Sequence, residues 1–337
     1  MPHQKIGFNT NRYLQNQAAA IKKIISQSRE KLYIEFGGKI VNDKHAARVL
    51  PGYDEDTKAK LIKKLCRDGE IIFVISAKDI LRKRIRGDFK ITYDKESIRV
   101  IKTLREHGII VRIAAISMLD HKPPIPPEIK NFKKRLEKLN VKTYYFYAIK
   151  DYPSIKINFA DLQNNPFIKI RKKIVAILSP GGGSGKFGIC LNQLYHEMKN
   201  GLSPHYLKFE TFPVHDLPIT HPLNLAYMAA SADFYDVVMR DKRHGTATSY
   251  NRDIENYELL HLLAKKFIKE GKYLRRLNSA TYMGKNKLTS GIINDELVQK
   301  EAAAEIARRL IRYKFEVAKG QEEKNVLTRC RKILSML

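Results

Sequence analysis

The sequence contains no tryptophan and only three cysteines among its 337 residues. Cys66, Cys190 and Cys330 are far apart, so they form neither the closely spaced pairs of a zinc site nor a disulfide framework. No apolar stretch approaches the roughly 20 residues that cross a membrane, and the N-terminus has no apolar signal region. These absences predict a protein of the reducing cytoplasm that has no membrane partner.

Acidic residues are scarce relative to basic ones. The 35 Asp and Glu residues against 63 Lys and Arg residues give a formal net charge of +28. Such an excess attracts phosphorylated ligands and nucleic acids, although it is equally compatible with solvated charges on helix faces. The basic clusters at 82–86, 133–135 and 171–173 are scattered, and no RNA- or DNA-binding module is recognisable. RNA is therefore an alternative partner, and a phosphorylated small molecule is the leading one.

Hydrophobic residues make up 43% of the chain, which predicts a folded globular protein. Over the first two thirds, strand-like and helical segments alternate. Strands are predicted at 31–36, 71–75, 109–116, 141–147, 173–178 and from about 205 to 210, and helices at 11–28, 56–67, 94–107, 127–139 and 187–199. This alternation predicts an α/β fold in which a mostly parallel sheet is flanked by helices, a three-layer arrangement of the Rossmann-like or P-loop-like type.

The pattern becomes mainly helical from residue 222 onward. Helices are predicted at 222–238, 253–269, 292–317 and 320–335, with no further strands. The sequence therefore predicts an α/β domain over 1–221, which carries the glycine-rich loop described next, and a mainly helical subdomain over 222–337.

A glycine-rich loop follows the strand predicted at 173–178 and precedes the helix predicted at 187–199, which is the layout of a phosphate-binding loop. Glycines let the backbone N–H groups approach an anion closely, and the helix N-terminus and a lysine add positive charge. The loop departs from the standard pattern, because Pro180 stands in place of a glycine and Phe187 in place of the Ser or Thr that reaches Mg²⁺. The residues predicted to bind a phosphate are Gly181, Gly182, Gly183, Ser184, Gly185 and Lys186; a flexible turn is the alternative.

Other basic residues are candidates for binding the rest of an anionic substrate. Ligands of parallel sheets bind at the carboxyl ends of the strands, so the loops after the strands at 31–36 and 71–75 would converge with the glycine loop if the three strands share an edge. The candidate residues are Lys39, His45, Arg48, Lys78, Arg86 and Arg252. For His45 and Arg48, a solvated helix face is the alternative.

A transfer reaction also needs carboxylates. The catalytic candidates are Lys186, Glu210 and Asp216, and Asp79 or Glu210 would hold Mg²⁺ if the reaction uses it. An ion pair at the surface is the alternative for Glu210, and a helix cap is the alternative for Asp79. Asp253 is predicted to cap the helix that it opens.

Several stretches resemble one known family. They are KLYIEFGGKIVNDKHAARVLPGY (31–53), ISAKDI (75–80), RGDFKITYD (86–94), SPGGGSGKFGICLNQLYHE (179–197), YLKFETFPVHDLPITHPLNLAYMAASAD (206–233) and SYNRDIE (249–255). They are specific, since no generic fold requires them, and they are similar to the domain of unknown function 1846 family over about residues 5–315. This resemblance implies an α/β core with a glycine-rich loop and an added helical part, but no activity. The chain is shorter and more basic than the family pattern, and 237–250 is compressed.

The residues together favour a cytoplasmic α/β enzyme of the phosphoryl- or nucleotidyl-transfer type. Its ligand would be a phosphorylated small molecule or a nucleotide such as ATP, used with Mg²⁺, and the protein is compatible with a homo-oligomer. A basic RNA-associated module without catalysis is one alternative. An enzyme that acts on a phosphorylated metabolite other than a nucleotide is another.

Overall fold

A computed structural model describes residues 6–86, 88–121, 123–243 and 248–337, with the side chains of Arg86 and of 248–250 outside the description. The strands are β1 (Leu32–Phe36), β2 (Glu70–Ser76), β3 (Ile85–Arg86), β4 (Ile91–Thr92), β5 (Ile113–Leu119), β6 (Lys142–Tyr147), β7 (Ile174–Leu178), β8 (His205–Phe209), β9 (Val238–Arg240) and β10 (Thr248–Tyr250). The helices are α1 (Thr10–Gln27), α2 (Lys44–Val49), α3 (Thr57–Leu65), α4 (Ala77–Leu81), α5 (Tyr93–Glu106), α6 (Pro127–Glu137), α7 (Phe159–Asn164), α8 (Lys186–Lys199), α9 (Pro222–Ala230), α10 (Asn251–Phe267), α11 (Tyr273–Arg276), α12 (Asp295–Ala318) and α13 (Lys324–Leu334).

Six parallel strands form the central sheet in the order β6-β5-β2-β7-β1-β8. Helices cover both faces, so the predicted three-layer α/β fold is confirmed. The strands are buried on both sides because neighbouring residues point to opposite faces and both faces are apolar. Ile71, Phe73 and Ile75 pack with α1, α3, α5 and α6, whereas Ile72 and Val74 pack with α7, α8 and α10.

The glycine loop leaves the sheet at its centre, because β7 lies between β2 and β1. From β2 the chain moves to β5, towards the end of the strand order formed by β6. From β7 it moves to β8, at the opposite end of the strand order. The order in which successive strands are placed across the sheet therefore reverses between β2 and β7, and such a point is where ligands bind in open α/β sheets. Strands β2, β7 and β1 are parallel neighbours, so the loops that follow them lie at the same edge of the sheet. Their convergence on one binding site stays a prediction.

The strand predicted at 109–116 begins four residues later than expected. Gly108 ends α5 in the left-handed region with a φ of 77°, and the N–H of Ile109 donates to the carbonyl of Leu104 at 2.8 Å. Ile109 and Val111 are buried, so their apolar character reflects the turn that leaves the helix rather than the strand.

The helix predicted at 222–238 is also wrong in its second half. Helix α9 ends at Ala230, a 3₁₀ turn follows over Ala232–Phe234, and Tyr235 has a φ of 58°, which stops helical winding. The chain then forms the antiparallel pair β9–β10, so the expectation of no strands after residue 222 is wrong as well. The division into domains at 221/222 stays a prediction. No helix within the described ranges is long and apolar enough to cross a bilayer.

Helix α12 carries a buried carboxylate that contacts basic side chains of α2 and of α12 itself. Glu305 is 1% exposed and accepts hydrogen bonds from Arg48 of α2 (2.8 Å) and Arg308 (2.8 Å), with His45 Nδ1 at 3.1 Å. Burial would raise the pKa of Glu305, but the hydrogen bonds of His45 and Arg48 outweigh it and place that pKa far below its usual range. Burial lowers the pKa of His45 to about 4, so this imidazole is neutral at pH 7. These bonds join α2 to α12.

Replacing Glu305 with alanine is expected to lower the free energy of unfolding by about 3 kcal/mol, because the buried side chains of His45 and Arg309 lose their partner. Urea denaturation at pH 7 measures the change. The folded-state pKa is depressed, so the stabilisation is present above the unfolded pKa of about 4.3 and is lost as the pH falls below it.

Glu301→Ala is the matched control, since that carboxylate lies 3.9 Å from Arg308 and its side chain is 33% exposed. Its loss is expected to stay below about 0.5 kcal/mol. Equal losses in the two variants would contradict a structural role for the buried carboxylate.

Candidate functional site

The glycine loop closes around the ammonium group of its own lysine. Lys186 is 6% exposed, and its Nζ donates to Ser179 Oγ at 3.0 Å and to the carbonyl of Gly181 at 3.4 Å. Ser179 and Ser184 also donate to that carbonyl, at 2.7 and 3.3 Å. Gly185 has a φ of 82° and precedes the first residue of α8, so the loop lysine opens the helix.

Ser117, a residue that the sequence did not single out, fastens the loop to the sheet. Its hydroxyl donates to the carbonyl of Ser184 at 2.6 Å. A Cβ atom on Gly185 would lie only 3.0 Å from Ser117 Oγ, so this glycine is needed for the close approach as well as for its left-handed backbone. The signal in the sequence is weak, because a serine near the end of an apolar strand is common.

The loop after β1 packs against the side chain of Glu210, which follows β8. A Cβ on Gly37 would lie 2.3 Å from Glu210 Cγ, so the carboxylate side chain crosses directly over this glycine. The carbonyl of Gly37 also accepts a hydrogen bond from the buried Lys58 at 3.1 Å, and Lys58 pairs with Asp43 at the same distance. Gly37 is therefore the residue at which the loop after β1 contacts the residue that follows β8.

Buried charges of both signs lie next to the glycine loop. Glu35 of β1 is 6% exposed and accepts from the hydroxyl of Tyr206 at 2.8 Å. Glu210 lies 3.1 Å from Lys208 Nζ, and Lys208 also pairs with Asp253. The predicted capping role of Asp253 is wrong: α10 begins two residues earlier, and Asp253 lies in its first turn. Glu210 is ion-paired, and its side chain is only 19% exposed.

This environment shifts the pKa values of one lysine and one glutamate towards 7. Burial lowers the pKa of Lys186 to about 8, against the opposing charges of Glu35 and Glu210. Burial likewise raises the pKa of Glu210 to about 7, against the attraction of Lys208. Perturbed pKa values of this kind in a cluster at the ligand-binding edge of a sheet are typical of functional sites.

A small pocket opens beside Glu210. It holds about 310 Å³ of empty space, part of it open to solvent, and Lys208, Glu210, His215 and Asp253 contribute to its wall. Because the carboxylate lines it, a molecule in this pocket would lie next to a group whose pKa suits proton transfer.

An aromatic ring covers the outer side of the loop. A Cβ on Gly183 would lie 2.5 Å from Phe234 Cε1, so the ring rests directly on the glycine backbone. The guanidinium groups of Arg84 and Arg252 lie 4.9 and 5.8 Å from the ring centroid. Arg252 also makes a bidentate pair with Asp236, at 2.5 and 2.6 Å. Arg252 thus belongs to the cover of the loop.

The other predicted anion-binding residues have different positions. Lys39 pairs with Asp88, Lys78 is exposed on α4, and His45 and Arg48 contact Glu305. Their role in binding a substrate stays a prediction, and the side chain of Arg86 lies outside the described residues.

The predicted carboxylates after β2 and β8 do not share one site. Ser76 caps α4, so the alternative role of Asp79 as its cap is wrong; Asp79 instead accepts from Arg84 at 3.4 Å. Strands β7 and β1 separate β2 from β8, and therefore Asp79 from Glu210. Asp216 is exposed, with Thr289 Oγ1 at 3.4 Å. Within the described ranges, no three His, Cys, Asp or Glu side chains are grouped as metal ligands.

Gly183→Ala is expected to destabilise the protein by about 1–3 kcal/mol, because a left-handed residue gains a Cβ that collides with Phe234. Gly182→Ala is the matched control, since its Cβ would meet the same ring at an ordinary 3.4 Å and its φ is not positive. Thermal and urea denaturation measure both.

The double variant Gly183→Ala, Phe234→Ala separates the two causes of that loss. Removing the ring is expected to restore the part that comes from the collision, so the two substitutions should not be additive. Additive losses would show that the ring does not rest on the loop.

Sequence comparisons agree with the motifs quoted above. The family model described as "Domain of unknown function DUF1846, N-terminal" matches residues 6–337. A UPF0371 protein of Clostridium tetani is 41% identical over 341 residues, which cover 99% of this chain and 66% of the relative. UPF0371 protein FN1121 of Fusobacterium nucleatum is 41% identical over 342 residues, with 99% and 66% covered. The chain thus spans about two thirds of the length of these relatives.

Proposed function

This chain belongs to the DUF1846 family, whose description assigns no function, and we propose that it binds the phosphate groups of a small molecule on the loop 181–186 and catalyses phosphoryl or nucleotidyl transfer. The observation that carries the proposal is the buried ammonium of Lys186, which a glycine loop encloses. This loop lies where the order of successive strands across the sheet reverses. An ammonium held there is a preformed partner for a phosphate.

The backbone of the loop supports the same assignment. Within the described part of the chain, no hydrogen bond uses the N–H group of Gly182 or of Gly183. Unpaired backbone N–H groups are rare in folded proteins, and several in succession before a helix form an anion-binding concavity. A phosphate seated there has to displace the ring of Phe234, which rests on Gly183.

Glu210 completes the chemistry. As a base, it would take the proton of an acceptor hydroxyl in the adjacent pocket while that oxygen attacks phosphorus and the leaving oxygen departs with the bonding electrons. Lys186 and the loop N–H groups would stabilise the charge on the other phosphate oxygens. A carboxylate with a pKa of about 7 is suited to this step near neutral pH. If Mg²⁺ takes part, Glu210 would be one of its ligands, and the substrate phosphates would supply further ligands.

Inorganic tripolyphosphate is expected to stabilise the wild-type protein and to stabilise Lys186→Ala much less. A ligand at about 100 times its Kd adds about 2.7 kcal/mol, which a thermal-shift measurement detects. Lys102→Ala, which removes an exposed lysine of α5, is the matched control and should respond like the wild type. Stabilisation that survives Lys186→Ala unchanged would contradict the proposal.

The same experiment tests the alternative that phosphates bind the basic surface, as RNA would. The charge of +28 favours this alternative. Binding by many surface lysines would be unaffected by Lys186→Ala and would fall steeply between 50 and 200 mM salt, whereas a single enclosed ammonium gives a shallow dependence.

The affinity for tripolyphosphate is also expected to depend on pH through Lys186. Its pKa of about 8 means that the ammonium is charged at pH 7 and mostly neutral at pH 9 in the free protein. The ratio of wild-type affinity to that of Lys186→Ala should therefore shrink by about tenfold from pH 7 to pH 9, in isothermal titration calorimetry. The variant removes the contribution of the ligand's own titration. A ratio that rises with pH would be inconsistent with an ammonium that binds phosphate.

A further inference from the structure

A second pocket lies on the other side of Gly185. It is formed between the ends of β5 and β6 and the first two turns of α8, and holds about 390 Å³ of empty space, part of it open to solvent. Its wall is mostly apolar and aromatic: Met118, Phe146 and Tyr152 contribute to it, with Gly185, Gly188 and Asn192 from the loop and helix. A lining of this kind is typical of small-molecule sites.

Asn192, which lines this pocket, carries a polar atom that lacks a partner and is sealed from solvent. Asn192 is 1% exposed, and its Nδ2 donates to the carbonyl of Pro166 at 2.9 Å. This bond fixes the orientation of the amide, since only the nitrogen can donate to a carbonyl. Within the described residues, Oδ1 of Asn192 accepts no hydrogen bond. The neighbouring Asn165 differs, because its Oδ1 accepts from the N–H of Tyr147 at 2.7 Å.

Gly188 leaves the helix side of the pocket open. It is the third residue of α8, and a Cβ built on it meets no atom within 4 Å. Packing therefore does not require a glycine here. A residue without a side chain is instead suited to a flat ligand lying against the helix.

We propose that this pocket binds a planar heteroaromatic ring that carries an amino group, as adenine and cytosine do, with the amino group donating to Asn192 Oδ1. The aromatic and apolar wall would contact the ring faces, and the unpaired acceptor would select for the amino group. Because Gly185 belongs both to this wall and to the glycine loop, a ring here would have its phosphates beside Lys186. The assignment of a nucleotide thus rests on the proposed function, whereas the binding of the ring alone does not.

The test uses adenosine, inosine and tripolyphosphate as separate probes in isothermal titration calorimetry with the whole chain. Inosine is the matched ligand, because a carbonyl oxygen replaces the amino group and would face another acceptor. Adenosine is expected to bind at least about tenfold more tightly than inosine, since sites that pair a buried polar group reject analogues that lack the partner. Equal affinities, or no binding of adenosine, would overturn the proposal.

Gly188→Ala tests the position of the ring. The added methyl group occupies the open space, so the affinity for adenosine should fall at least about tenfold, while the melting temperature of the free protein should rise or stay unchanged because alanine favours the helix. An unchanged affinity for adenosine in the folded variant would overturn the proposal. If the variant fails to fold, the comparison of adenosine with inosine on the wild type decides.

The two proposals fail separately. Lys186→Ala should weaken binding of tripolyphosphate at least about 100-fold and leave that of adenosine within about twofold. Gly188→Ala should weaken binding of adenosine at least about tenfold and leave that of tripolyphosphate within about twofold, because the two sites contact different parts of the ligand. Tripolyphosphate binding that ignores Lys186→Ala would refute the proposed function alone. Adenosine binding that ignores Gly188→Ala would refute the ring pocket alone.

Discussion

The burial of the Lys186 ammonium is the constraint on which the site depends. A lysine in an apolar interior would lose its charge, since removing an ion from water is unfavourable unless acceptors replace the water. Here Ser179 Oγ and the carbonyl of Gly181 accept from it, and Glu35 and Glu210 lie within electrostatic reach. The loop has to fold back on its own lysine to supply these acceptors. The charge of the lysine therefore depends on the shape of the loop, which supplies its acceptors.

The charge of the site differs from the charge of the protein. The chain as a whole carries +28, yet the cluster around the loop alternates in sign: Lys208 lies between Glu210 and Asp253, and Arg252 is paired with Asp236. Buried charges must be compensated locally, whereas exposed ones are solvated and can accumulate. The net charge thus describes the surface and its attraction for polyanions. It carries no information about which groups meet in the interior.

The glycines of the loop meet two requirements, a left-handed backbone and a close approach by neighbouring side chains. Gly183 and Gly185 have positive φ values; a Cβ on Gly183 would collide with Phe234, and one on Gly185 would make a tight contact with Ser117. A turn that merely needed flexibility would not require the second property. The ring of Phe234 keeps the outer side of the loop apolar, and the two guanidinium groups beside it hold the ring in place. Any ligand of the loop has to compete with that contact.

The sequence by itself determined the alternation of strands and helices, the position of the glycine loop between β7 and α8, and the resemblance to a family, because each is written in local periodicity or in a contiguous motif. The prediction from sequence was wrong where apolar residues lie in a turn, as at Ile109 and Val111. Only the tertiary structure decided that β7 lies between β2 and β1, that Asp253 faces Lys208 rather than capping its helix, and that Glu305 collects His45 and Arg48. Glu305 lies some 260 residues from His45 along the chain. Their pairing depends on how whole helices pack, and local sequence patterns do not encode that packing.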